Sequence, residues 1–444
     1  MAAEELAASR HAAGLRGDPV ARDVARWASS RELAPGAMAV IALGFGVIAA
    51  VWLTAAVSLG AELIAVAALV AAFIAGRAGR LMDTGQLTAA SDWCLGACAV
   101  LTELAVYAGI LGGVSAHAPS TGLTGPGGSR LKGTFAASFG GTGTAGVWRL
   151  AVAAVIMLAV LQVAAICEAA RPDGAPRAPR FQIFAGAAGG ERLLLIGAAV
   201  LLGGARVTFA LLVVLGVLVL VVMLAGGAGE GDAAGFRDGA RGHAGGGAAG
   251  RGGDLAPAAW LPWCRGDGPL SLRIGRLVDG RLPPLPPLLV GLLVTGMLAW
   301  LGLQNLPGIL VLTPVEAMLL ASLASWHPHD GPRDWLAPAL LQGGEYLFLA
   351  AAGFAFRVWP PVTFGLLAAV MLRHLDLAHR AKNRLAFAAD WRGLGWEGRM
   401  IVAGIAAATG ILPVIYPVLA VYLWGLVAWD WAAGWSTGHA AVNR

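Results

Sequence analysis

Residues 36–58 read GAMAVIALGFGVIAAVWLTAAVS, a run without a single charged side chain. A helix needs about 20 consecutive apolar residues to cross a bilayer core, where every backbone polar group must be satisfied within the segment. The run meets that length, and it is one of many. Comparable stretches lie near 61–79, 94–114, 147–169, 191–204, 207–226, 286–303, 307–325, 336–355, 361–374, 399–412 and 413–433. These twelve segments predict an all-α, polytopic integral membrane protein built as two six-helix halves. The pairs within 191–226 and 399–433 read as tight hairpins.

The rest of the chain agrees. Of 444 residues, 58% are hydrophobic and 13% charged, and the mean hydropathy is +0.72. A soluble domain carries about 25% charged residues. The net charge of +5 sits in the loops, so it speaks to topology and anionic lipid headgroups; no nucleic-acid partner is expected. The first 34 residues lack the early apolar stretch of a secretory signal. Cys94 and Cys98, one helical turn apart, read as core packing, because no histidine stands at zinc spacing from them.

Charge placement predicts orientation. With a cytosolic N-terminus, the outer segments hold only Arg130, Lys132, Arg149, Arg206 and Arg357, and the other basic residues fall inside. The expectation is a multi-pass protein of the cell membrane with both termini cytoplasmic. Residues 18–33 predict a surface helix: Asp18 suits its cap and Pro19 its first position. Val20, Val24 and Trp27 make an apolar stripe, and Arg22 and Arg26 face lipid phosphates. Gly-rich stretches at 115–146 and 227–256 bury too little to order themselves. The organisation expected is a cytosolic N-terminus over 1–35, a membrane domain over 36–226, a flexible Gly/Arg-rich linker over 227–267 and a second membrane domain over 268–435. No repeat between the halves of the kind that marks inverted-repeat transporters is evident.

Between the second and third segments the chain reads Arg80-Leu81-Met82-Asp83-Thr84-Gly85-Gln86-Leu87-Thr88-Ala89, and Leu95-Gly96-Ala97 opens the third segment. With the preceding Arg26-to-Pro35 stretch, this resembles the CDP-alcohol phosphotransferases of phospholipid synthesis, whose motif is D-x-x-D-G-x-x-A-R followed by G-x-x-x-D-x-x-x-D. In that family several carboxylates hold two divalent cations on the CDP pyrophosphate, and the last Asp is the base. Aligned on Gly85, the first pair of acids becomes Leu81 and Thr84, and the later pair falls on Val100 and Leu104. Asp83, Gly85 and Gln86 are what remains of the motif; Asp92 and Glu103 stand nearby but off register. The resemblance therefore implies a pseudoenzyme relative, with no cofactor expected and Mg or Mn only if the site still functions. Plain polar-turn chemistry accounts for the same residues.

The second half carries three polar tracts assigned to the cytosolic side. They contribute His327, His329, Asp330 and Arg333; then His374, Asp376 and Arg380; then Glu397 and Arg399. Arg373, Asp376 and Arg380 share one helical face. The tracts predict either one shared phosphate or metal site or ordinary membrane-boundary charge. Together with Leu282-Pro283-Pro284-Leu285-Pro286-Pro287, they resemble an actinobacterial membrane domain of unassigned activity, over about 268–435, that is often fused behind a CDP-alcohol phosphatidyltransferase domain. Glu103, Glu316 and Glu345 fall inside apolar segments and must pair, face the bundle or stay protonated. They serve as interhelical glue or line a transport path. Three functions follow as expectations: the inactive headgroup-enzyme relative, a lipid or polar-solute transporter, or an enzyme sited in the second half. The expected partners are membrane lipids, with a homodimer or a partner membrane enzyme as possibilities.

Overall fold

The computed structural model of the protein describes residues 19–55, 58–82, 89–116, 144–169, 190–226, 264–278, 282–323, 325, 327, 333–382 and 392–442. Among them are thirteen α-helices and no strands. The first six are α1 (Pro19–Ser30), α2 (Pro35–Thr54), α3 (Leu59–Leu81), α4 (Ala89–Ala116), α5 (Thr144–Ala169) and α6 (Gly190–Gly226). The others are α7 (Pro269–Val278), α8 (Leu285–Leu303), α9 (Thr313–Ser322), α10 (Ala337–Ala355), α11 (Pro360–Lys382), α12 (Gly395–Ala408) and α13 (Leu412–Val442). Two 3₁₀ turns, Pro307–Leu312 and Asp334–Leu336, lead into α9 and α10.

The all-α polytopic class is what the structure shows. Among the described residues, eight helices are long and apolar enough to cross a membrane: α2 to α6, α8, α11 and α13. They take up nine of the twelve expected segments, because 191–204 and 207–226 both lie in α6, which breaks only at Gly204 (φ 73°). The segment at 307–325 becomes a 3₁₀ turn and the ten-residue α9, since Pro307 and Pro314 interrupt regular helix. The segment at 399–412 is the 14-residue α12, about 21 Å long at 1.5 Å per residue and short of a bilayer core. The remaining one, α10, buries Gln342, Glu345 and nearly all its other side chains against protein. Its lower hydropathy follows from that.

Contacts divide the chain into two compact units, one of 1–151, 187–211 and 434–444, the other of 152–186 and 212–433. In the first, α1 buries Ala25 and Ala28 against Met38, Ala42, Ala75 and Ala78. Val20 and Trp27 stay exposed on its other side, the arrangement expected of a helix lying in a lipid interface. Asp18, the expected cap, lies outside the described residues. α2 and α4 run parallel and nearly touch: a side chain at Gly109 would strike the Ala50 backbone, and one at Gly113 the Leu53 carbonyl. α3 runs antiparallel to α2, with Gly79 against Pro35 and Met38.

In the second unit, α10 is the hub for α8, α11 and α12. The linker boundary at 267 needs correction. Cys264 and Arg265 are fully buried, Gln342 Nε2 donates to the Cys264 carbonyl, and Arg265 donates to Asp267 and to the Ala321 carbonyl. A buried guanidinium requires such partners, so residues 264–267 belong to the folded unit and not to a flexible linker.

Candidate functional site

In the first unit, polar side chains from three helices meet. α3 ends with Arg77 and Arg80, α4 carries Glu103, and α6 opens with Glu191 and Arg192. Arg77 Nη1 donates to Glu191 Oε1 at 2.5 Å, and Arg192 Nε donates to Glu103 Oε1 at 3.0 Å. Arg80 is half-buried, within electrostatic reach of both glutamates and both other arginines. The inner pair is sealed, with Glu103 1% and Arg192 6% exposed; the outer pair stays partly open, with Arg77 at 19% and Glu191 at 24%. A buried acid in an apolar helix needs a partner of this kind.

Only part of the expected motif is described. Asp83, Gly85 and Gln86 fall outside the described residues. The positions of the later acid pair are described: Val100 is 1% exposed and Leu104 5%. Their place in the helix is interior, where a ligating carboxylate would stand, but they offer no oxygen. The described part of the motif therefore does not fit a two-metal set. Among the described residues, no group of three His, Cys, Asp or Glu side chains is placed to hold a metal ion.

The second unit separates the expected shared site into several sets. Glu345, His374 and Arg399 do converge. Arg399 grips Glu345 through Nε (2.5 Å) and Nη2 (3.0 Å), donates from Nη2 to His374 Nε2 (2.8 Å) and from Nη1 to the Gly393 carbonyl (2.8 Å). A guanidinium only donates, so His374 Nε2 accepts and its proton sits on Nδ1, facing the Tyr346 hydroxyl at 2.6 Å. All four side chains are buried.

Glu397 does different work. Its carboxylate accepts from the backbone N–H groups of Gly268, Leu270 and Ser271, which open α7. Pro269, at the first helical position, has no N–H, so one side chain from α12 serves the open donors of that terminus. Gly268 leaves the room that the carboxylate needs. Trp396 Nε1 and Arg265 both donate to Asp267. Arg373 pairs with Asp430 and Asp376, and Arg380 with Asp376, which bears out the shared face read from sequence. His327 stands 3.6 Å from Asp334; Arg333 is half-buried ahead of the 3₁₀ turn, and His329 and Asp330 lie outside the described residues. Glu316 accepts from Thr295 on α8. All three intramembrane glutamates thus have a partner on another helix. Cys94 and Cys98 pack together in the core at 3.9 Å.

Sequence reading missed Arg77, Glu191, Arg192, Arg265, Asp267, Tyr346 and Asp430 as site members. Arg77 and Arg192 had counted as boundary charge, and nothing local in the sequence pairs them with Glu191 and Glu103, 114 and 89 positions away.

Residues 261–442 match a family model described as a family of unknown function (DUF5941). That stretch takes in α7 to α13, with the Arg265–Asp267 pair at its start. No curated protein and no solved structure matches the chain.

Proposed function

We propose that the first half is a relative of the CDP-alcohol phosphotransferases that binds a phosphate-bearing lipid headgroup or nucleotide without transferring it. One observation carries the reading. The α4 positions that would hold the motif's later acids are buried Val100 and Leu104, and the polar cluster beside them is built from Arg77, Arg80 and Arg192 with two glutamates. Guanidinium groups serve phosphate oxygens directly, a task that the enzymes give to metal ions. The partners on this reading are membrane lipids. The charge distribution supports cytoplasmic termini, with the cluster at the cytosolic ends of α3 and α6.

Two assays on purified protein in nanodiscs test it. The first offers CDP-diacylglycerol with an alcohol acceptor and Mg²⁺ or Mn²⁺. The expected result is no release of CMP; turnover lost in Asp83→Asn restores the enzyme reading. The second is calorimetry with CDP, where binding without divalent metal is expected. The transport reading loses support from the pairing of Glu103, Glu316 and Glu345 with neighbouring helices, which matches a structural role.

A further inference from the structure

We infer that the protein is a tandem duplication: α7 to α13 repeat, in order and direction, the fold of α1 to α6, and the two buried glutamate–arginine pairs are one site seen twice.

The element order matches first. Each copy opens with an amphipathic helix beginning at Pro19 or Pro269. Along 19–27 and 269–277 the alternation of exposed, intermediate and buried positions is the same at all nine residues. In each copy this helix packs on the second of the next three elements; the first of those packs on both others, while the second and third scarcely touch. Those elements are α2, α3 and α4 in the first copy and α8, α9 and α10 in the second.

The third element carries the same signature. Asp92-Trp93 precedes Glu103 by nine intervening residues, and Asp334-Trp335 precedes Glu345 by nine. Both glutamates bind an arginine at the start of the fifth element, Arg192 or Arg399. From that arginine onward the copies stay in register at a constant separation of 207 positions, 192 to 399. Gly197 matches Gly404, and Gly203 matches Gly410. Over 191–200 and 398–407 the burial pattern differs at one position only. Each copy then breaks at a positive-φ glycine, Gly204 (φ 73°) or Gly410 (φ 76°), the two breaks lying one position out of that register. At the same separation, Phe209 matches Tyr416. Phe209 stacks edge-on against Tyr107, four residues past Glu103, and Tyr416 donates to the carbonyl of Leu349, four residues past Glu345. In one copy α5 packs on the part of α6 that follows the break, through Leu161 and Val219, and in the other α11 packs on α13, the helix that follows its break, through the Gly365 carbonyl and Trp424.

Chance does not hold one register in the helices on both sides of a break while also preserving which elements touch. Direct sequence comparison hides the repeat because most matched positions face lipid or core, where one apolar residue replaces another at little cost. The copies differ in their sites. In the second, Glu345, His374 and the Gly393 carbonyl occupy Arg399, which is 1% exposed beside a fully buried glutamate. The first keeps its outer pair partly open. The second copy is therefore the closed one, and a ligand enters the first. Only this last statement rests on the proposed binding function; the duplication stands without it.

Sidedness tests the duplication. All four native cysteines are buried, so an impermeant maleimide reports single introduced cysteines in oriented vesicles. Arg26→Cys and Arg276→Cys are expected to label from one face. Leu59→Cys and Gln304→Cys are expected from the opposite face, as a pair. A matched pair split across the membrane overturns the inference. A register test is independent of labelling. Replacing Trp93–Glu103 by Trp335–Glu345 is expected to keep a cooperative melt, and the same insert shifted by one residue is expected to lose it. Equal loss in both chimeras overturns the shared register.

Discussion

Arg399 closes both oxygens of Glu345 with one guanidinium, although 54 positions separate the two residues in the chain. The fork joins α12, too short to span a membrane, to α10, which is buried along most of its length. A helix of 14 residues is shorter than a bilayer core, and the desolvated ion pair ties it to α10.

Removing one member of that pair strands the other. Glu345→Gln and Arg399→Leu are each expected to cost about 3–5 kcal/mol, and replacing both by apolar residues less than either alone. Thermal melting in detergent measures this. Single losses that simply add in the double variant would show that the pair does not act as a unit. Arg399→Lys should not rescue, since an ammonium lacks the planar fork.

Tyr346→Phe removes the oxygen facing His374 Nδ1. It leaves a buried N–H without its acceptor, a loss of about 1–3 kcal/mol. An unchanged melting point would mean that the hydroxyl is not the acceptor.

Glu397→Ala should loosen α7 and leave α10 and α11 intact. The expected cost is about 0.5–2 kcal/mol, as for loss of a helix cap. Hydrogen exchange should rise first at Gly268, Leu270 and Ser271, whose N–H groups it binds. Exchange spread evenly over the unit would contradict a local cap.

Gly109→Val drives a branched side chain into the Ala50 backbone. α2 and α4 must then separate, at about 1–3 kcal/mol. Gly44→Ala, which meets open space, is the control and should melt at or slightly above the parent, since Ala is the better helix former; a matching loss there would show that the Gly109 contact is not the cause.

Much of the helical layout was legible in the sequence, and part of the site was. Pro19 marks a helix start that the structure keeps, and the Arg373–Asp376–Arg380 face follows from helical spacing. The Glu345–Arg399 and Glu103–Arg192 pairs were not legible, because no local periodicity links residues 54 and 89 positions apart. Arg265 was assigned to a linker from its Gly-rich surroundings, and its buried partners are invisible until the chain folds back on itself.

By itself, the sequence determined that this is a helical membrane protein, where most of its helices lie and how its charges divide between loops. Those properties are sums over neighbouring residues: transfer free energy accumulates along a segment whatever it packs against. Tertiary structure alone decided which acid meets which arginine, that Glu397 caps a helix, and that two dissimilar halves share one plan. Ion pairs and caps need atoms within about 3 Å with aligned donors, a condition that sequence spacing cannot supply for residues on different helices.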